Sequence, residues 1–359
     1  MRRVLRGWYG RHARDLPWRR TRDAYRIWLS EIMLQQTRVE TVRPYYERFL
    51  AAFPTVYHLA AADLDEVLRL WAGLGYYARA RNLHAAARAI AERRGGRFPR
   101  TLEELRKLPG VGRYTAGAIA SIAFGVRAPV LDGNVRRVLT RLFGIRKSIE
   151  RPATQRRLWA LAEALLPRTS PGDFNQALME LGARVCTPKQ PRCSACPLRS
   201  ACVAFARGEQ RRLPKRRPKR PVPPVDAAAA AIVRAGRVLL VQRPARGLLG
   251  GLWEMPSVPL TNGQTAAGTL ASEVARRVGL PVDVGRELGA VRHAFTHRLL
   301  RLHVYRCRPH HARARARLNR AARWVSLRDL DSVPLATLDR KALQVVLDAA
   351  DKTASLRAL

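Results

Sequence analysis

Acidic residues are scarce in this chain: 27 Asp and Glu stand against 67 Lys and Arg, a formal net charge of +40 over 359 residues. That imbalance exceeds what solubility asks for and disfavours a cationic partner. It points first to nucleic acid and second to an anionic membrane surface. Long apolar runs are also missing. No segment reads as an uninterrupted membrane span, and Met1–Trp8 lacks the apolar stretch of a signal peptide. The expectation is a cytoplasmic protein with no membrane partner. Cysteine is rare too. Of five, four crowd between Cys186 and Cys202, which argues against a disulfide framework and for metal or cluster ligation in a reducing compartment.

What is present is organised around Leu108-Pro109-Gly110-Val111-Gly112-Arg113-Tyr114. Gly110 and Gly112 flank one short apolar residue, so the backbone can turn sharply and leave amides facing outward with a helix start directly behind. Such a turn suits a phosphate approached from solvent, although an ordinary helix–helix corner has the same spacing. A little further on, Asp132 precedes Gly133-Asn134-Val135 at the expected start of another helix. A carboxylate there could act on a nucleotide held by the turn. Upstream, Tyr25 to Thr37 is apolar on almost every side and reads as a buried helix, with Glu31 inside it. A buried carboxylate is expensive unless it is paired or neutralised by a raised pKa, so Glu31 is either an arginine partner or a group with chemistry to do.

Gly73-Leu74-Gly75-Tyr76-Tyr77 is a second tight glycine turn, on which Leu74 and Tyr76 could wedge between base pairs. Tyr77 could equally cap a core. Thr101-Leu102-Glu103-Glu104 reads as a capping-box helix start leading into the hairpin. Cys186, Cys193, Cys196 and Cys202 are separated by six, two and five residues, which suits one tetrahedral site or cubane; spacing alone leaves zinc and iron–sulfur both open. From Arg207 to Pro224, basic residues alternate with prolines as in an extended interdomain linker. Beyond it the grammar changes. Ala229–Val233 and Arg237–Gln242 read as paired strands, Gly250-Gly251-Leu252-Trp253-Glu254 precedes a helix from about Thr265 to Val278, and Leu299–Cys307 alternates like a strand.

Together these motifs resemble the helix-hairpin-helix DNA glycosylases and, within them, the adenine glycosylases of the MutY family, across nearly the whole chain. The resemblance implies a multidomain protein: an all-α helix-hairpin-helix glycosylase domain over 1–206 including an iron–sulfur loop at 186–202, a basic Pro-rich linker over 207–225, and an α+β Nudix-like domain over 226–359. It implies one 4Fe-4S cluster held by the four clustered cysteines. It makes Glu31 and Asp132 the catalytic pair, with Tyr114, Asn134 and Arg19 supporting the site. Gln36, Leu74, Tyr76, Gly110, Val111 and Gly112 become DNA contacts, and Phe295, Thr296 and His297 the loop that reads 8-oxoguanine. The implied partner is double-stranded DNA carrying adenine opposite 8-oxoguanine or guanine, met by a monomeric, nucleoid-associated enzyme.

Two departures carry information. Tyr114 stands where strand-cutting relatives such as endonuclease III have a lysine, and a phenol cannot form an imine. A monofunctional glycosylase follows, in preference to an endonuclease III-like pyrimidine glycosylase/lyase. In Ser272-Glu273-Val274-Ala275-Arg276-Arg277, arginines replace the paired glutamates of a Nudix magnesium box, which argues against nucleoside-diphosphate hydrolysis. A non-catalytic DNA-binding protein is the remaining alternative, separable by whether Glu31 and Asp132 are needed for turnover.

Overall fold

The computed structural model describes residues 1–217, 221–261, 265–295, 298–310 and 321–355. The chain forms two compact units. One comprises Met1–Ala61 and Asn82–Lys219; the other comprises Ala62–Arg81 together with Arg220–Leu359.

The described part of the first unit is helical. Its central helix, Ala24–Leu34, starts at Asp23, whose carboxylate accepts from the Arg26 amide at 2.8 Å, the usual N-cap arrangement. Tyr25 and every residue from Ile27 to Met33 are buried, so apolar character on all sides is explained by burial on all sides. Thr101 caps Leu102–Arg106 through the Glu104 amide. The hairpin then delivers Arg113–Phe124, and Asp132 caps Gly133–Leu142. Pro171–Arg184 packs beside that last helix, and Gly182 makes the approach possible: a Cβ there would lie 2.6 Å from Cβ of Asn134. Leu131, Val135, Leu139, Phe174, Leu178 and Leu181 fill the common core.

The segment expected as a basic Pro-rich linker touches the helices near its start. Leu213 is buried, its carbonyl accepts from Arg141 Nε at 2.9 Å, and the Lys215 carbonyl accepts from the Ile149 amide at 3.1 Å. The basic residues stay outside while one leucine and two carbonyls tie the segment to the helices.

The second unit is built on a mixed sheet of seven strands: β1 (Pro224–Arg234), β2 (Arg237–Gln242), β3 (Trp253–Glu254), β4 (Ser257–Pro259), β5 (Val282–Ala294), β6 (Leu299–Pro309) and β7 (Ala322–Ser326). The order is β3-β2-β1-β6-β5, with β4 on β1 and β7 on β2; β1 and β6 run parallel. The alanine run in β1 serves both faces. Ala227, Ala229 and Ala231 join a core with Leu338, Leu343 and Val346 of the helix Thr337–Ser355. Ala228, Ala230 and Ile232 join another with Leu270, Val274 and Val278 of the helix Ala266–Val278. A period-2 strand covered on both sides needs no polar face.

Candidate active site

A cleft of about 820 Å³ in the helical unit is lined by Arg19, Glu31, Gln36, Tyr114, Asp132 and Asn134, among others. Glu31 is 5% exposed. Among the described residues no basic side chain pairs with it; instead the Tyr114 hydroxyl donates to Oε2 at 2.6 Å and also lies 3.3 Å from Met179 Sδ. Burial pushes the Glu31 carboxyl up, and the tyrosine hydrogen bond opposes that only in part. The result is a carboxyl at about 7 rather than its ordinary 4.5.

Glu180 shows what pairing would have done. It is fully buried, yet Arg14 grips it with Nε at 2.8 Å and Nη2 at 2.9 Å, and Arg19 Nη2 adds a bond at 2.8 Å. Burial raises this carboxyl as well, but the hydrogen bonds from Arg14 and Arg19 outweigh it and bring it down to about 2. The arginine-partner alternative for Glu31 is thereby corrected: the arginines serve Glu180. Arg19 lines the cleft with its Nη1 on the Arg14 carbonyl and its charge on Glu180. Glu180 escaped sequence reading because it looks like any helical glutamate, and its partners lie more than 160 positions away.

Asp132 sits in the same cleft under different support. Its Oδ1 accepts from the Val135 amide at 2.7 Å and its Oδ2 from Asn134 Nδ2 at 2.9 Å. Asn134 is itself held by Arg137 Nη2 at 2.8 Å. Burial raises the Asp132 carboxyl; the backbone amides of Val135 and Asn134, the Asn134 side chain and the Arg137 charge act against the rise. Glu31 has a phenol for company, Asp132 a helix N-terminus. Amides at a helix N-terminus favour the carboxylate form, so the two carboxyls of one cleft stand in different electrostatic surroundings.

Gln36 closes the rim just after the central helix, in the left-handed region at φ 58°. Such strain in a non-glycine residue is uncommon and gathers at functional sites. At the hairpin, Gly110 has φ 74° and no room for a side chain, since a Cβ would lie 2.8 Å from Cβ of Asn82. Val111 is buried as the pin of the turn, and Gly112 is the N-cap of Arg113–Phe124.

Leu74 and Tyr76 belong to the other unit. Tyr76 is 45% exposed at φ 50°, as a wedge requires, whereas Leu74 is 5% exposed. Leu74, expected beside it as a DNA contact, has its side chain packed within the protein. Phe295 is partly buried against the sheet core and meets the His293 ring edge-on at 4.6 Å. Thr296 and His297 lie outside the described residues. On the helix Ala266–Val278, the arginines that stand in place of a magnesium box hold carboxylates: Arg277 Nη1 is 2.8 Å from the buried Glu254, and Arg276 pairs with Glu273; Arg243, just after β2, adds Nη2 at 2.6 Å from Glu254.

Cys186, Cys193, Cys196 and Cys202 are all thiols and line one small cavity with Arg141 and Phe205. Arg141 Nη1 lies 3.2 Å from Cys186 Sγ. Four soft donors on one cavity, with a buried cation beside them, fit an anionic thiolate-ligated group in donor type. Among the described residues, no His, Cys, Asp and Glu set is gathered as for a single metal ion.

Comparison with known proteins finds two domains in the chain, the first of them spanning Ala62–Arg81 as well. Residues 29–164 match the model of the HhH-GPD superfamily of base excision DNA repair proteins, and residues 228–345 match a NUDIX domain. Human adenine DNA glycosylase is 40% identical over 397 residues, covering 95% of this chain and 73% of that one. The rat enzyme of the same name is 40% identical, covering 96% and 77%. Among solved structures, a thermostable thymine-DNA glycosylase superposes with TM-score 0.53 at 33% identity, over 57% of this chain and 95% of its own. With relatives aligned across nearly its full length and both domain models matched in chain order, the chain belongs to the adenine DNA glycosylases, hydrolases of N-glycosyl bonds that act on DNA in base excision repair.

Proposed function

We infer that the substrate is adenine mispaired with 8-oxoguanine, or less well with guanine, and that Glu31 and Asp132 divide the chemistry. The observation that carries this reading is the pair of carboxyls in one cleft, one buried beside a phenol and pushed up to about 7, the other held by amides at a helix N-terminus. The bond is out of reach inside a duplex, so the adenosine must be extruded into the cleft. Glu31 then gives its proton to N7 of the base, the C1′–N9 bond breaks with its electrons leaving on adenine, and positive charge develops on the sugar. Asp132 stabilises that charge. Glu31, now a carboxylate, takes a proton from the water that adds to C1′. On the hairpin, the amides of Gly110 and Gly112 hold a phosphate at the turn pinned by Val111, whose own amide donates to the Leu108 carbonyl at 3.1 Å; Gln36 inserts beside the lesion pair, Tyr76 wedges between base pairs, and the loop with Phe295, Thr296 and His297 reads the opposite base. The protein works as a monomer.

Tyr114 offers no amine for an imine. On duplexes carrying adenine opposite 8-oxoguanine, guanine or cytosine, excision should be fastest on the first and slowest on the last, and strands should break only after alkali. Scission without alkali, or equal rates on all three, would contradict the proposal.

Cys186, Cys193, Cys196 and Cys202 would hold a 4Fe-4S cluster, which supplies a covalent clasp for the loop and requires no redox step here. Protein purified without oxygen should be yellow-brown and carry about four iron atoms per chain. Stoichiometric zinc with no iron would overturn the assignment.

A further inference from the structure

The segment Gly250-Gly251-Leu252-Trp253-Glu254 takes no part in the chemistry above, and a magnesium role is blocked by the arginines on Glu254. It nevertheless makes specific bonds to the piece of chain that carries Tyr76. Asp65, at the start of the helix Leu64–Trp71, accepts from Trp253 Nε1 at 3.2 Å and from Gln242 Nε2 at 3.2 Å. Gln242 Nε2 also reaches the Gly251 carbonyl at 3.1 Å, so the amide is oriented from both sides. At the other end of the piece, Arg81 Nη1 donates to the Gly250 carbonyl at 2.5 Å. Gly251 itself lies against Leu68: a Cβ there would be 3.4 Å from Cδ1 of that leucine.

Between these two ties the turn is braced internally. Trp71 Nε1 donates to the Gly75 carbonyl at 3.1 Å, and Arg79 Nη2 donates to the carbonyls of Leu74 at 3.2 Å and Gly75 at 3.0 Å. The Arg79 guanidinium stands 5.3 Å from the Trp71 ring and 5.4 Å from the Tyr76 ring. The Gly73 amide donates to the Tyr77 hydroxyl at 3.1 Å. A turn stiff inside and fixed at both ends moves with whatever holds the ends.

We propose that Asp65 is a positioning residue for lesion discrimination: through Trp253 and Gln242 it ties the Tyr76 turn to the Nudix-like sheet, so that the wedge enters the duplex in register with the loop that reads the opposite base. The proposal rests on Tyr76 being the wedge. Without the tie, wedge and reader act separately, and excision opposite 8-oxoguanine falls towards that opposite guanine.

The test is single-turnover excision by the full-length protein on the two duplexes, for Asp65→Ala, Tyr76→Ala and the double variant. Asp65→Ala should lower the ratio of the two rates by roughly tenfold, as loss of two hydrogen bonds allows, while leaving the rate opposite guanine nearly unchanged. Asp65→Asn, which keeps a carbonyl acceptor, should restore part of the ratio. In the Tyr76→Ala background Asp65→Ala should do nothing more, because the object it positions is gone. A ratio within about twofold of wild type for Asp65→Ala, or effects that add in full, would overturn the proposal. If Tyr76→Ala alone leaves both rates intact, the wedge reading fails first and takes this one with it. A general loss of rate on both duplexes would mark Asp65 as merely structural and overturn the proposal as well.

Discussion

Glu31→Gln is expected to lower single-turnover adenine excision by about 10²–10⁴-fold, the range a positioned general acid supplies, while duplex binding stays close to wild type. The substituted amide keeps a carbonyl oxygen to accept from the Tyr114 hydroxyl, which lies 2.6 Å from Oε2 in the native site, so geometry survives and the transferable proton does not. The same change should stabilise the fold. The folded carboxyl stands at about 7 against an ordinary 4.5, so the native state binds this proton more tightly than the unfolded chain does. The stability Glu31 contributes is fully present below pH 4.5 and is lost as the pH rises through about 7. Above that the ionised group costs on the order of 3 kcal/mol, which a neutral amide avoids. Thermal unfolding should therefore show Glu31→Gln gaining over wild type near pH 8 and losing that advantage near pH 4. A variant that keeps near-normal excision, or that is destabilised at alkaline pH, would contradict the assignment.

Asp132→Asn should be the complementary case, with excision reduced by about 10²–10³-fold, as when a group facing developing charge is removed. Asp132 also caps the helix Gly133–Leu142 through the Val135 amide at 2.7 Å. Asparagine caps nearly as well as aspartate, so the fold should hold while the chemistry goes. Asp132→Ala would lose the cap as well, at about 1 kcal/mol. Comparing the two variants separates charge from scaffold: equal excision defects with unequal melting temperatures are expected. Excision by Asp132→Asn near the wild-type rate would remove Asp132 from the mechanism.

The features legible in sequence are those written locally. A glutamate among apolar neighbours, a carboxylate before Gly133-Asn134, a glycine pair around Val111 and four crowded cysteines all declare themselves within a few residues, because helix caps, tight turns and thiolate ligation have short-range signatures. The replacement of lysine by Tyr114 is equally plain, though its hydrogen bond to Glu31 joins positions 83 apart. What stays hidden is tertiary. The Arg14–Glu180–Arg19 clamp draws on the two ends of the helical unit. Leu74 and Tyr76 share one turn and look alike in sequence, yet packing buries the leucine and leaves the tyrosine out. Leu213 docks a segment whose charge and prolines read as an extended linker. Nor does any local pattern group Ala62–Arg81 with the C-terminal sheet; that association depends on Asp65, Arg81 and the glycines at 250 and 251.

In the proposed mechanism Glu31 holds the proton that the departing adenine takes, and Asp132 stabilises the charge that develops on the sugar. The pH dependence of the single-turnover excision rate tests it most directly, measured on a duplex with adenine opposite 8-oxoguanine for wild-type protein and Glu31→Gln. Wild type should lose rate as the pH rises through about 7, where Glu31 gives up its proton, and should lose it again in acid as Asp132 becomes protonated. The residual rate of Glu31→Gln should keep the acid limb and lack the alkaline one. An alkaline limb unchanged in the variant, or a wild-type rate flat through neutrality, would contradict the account.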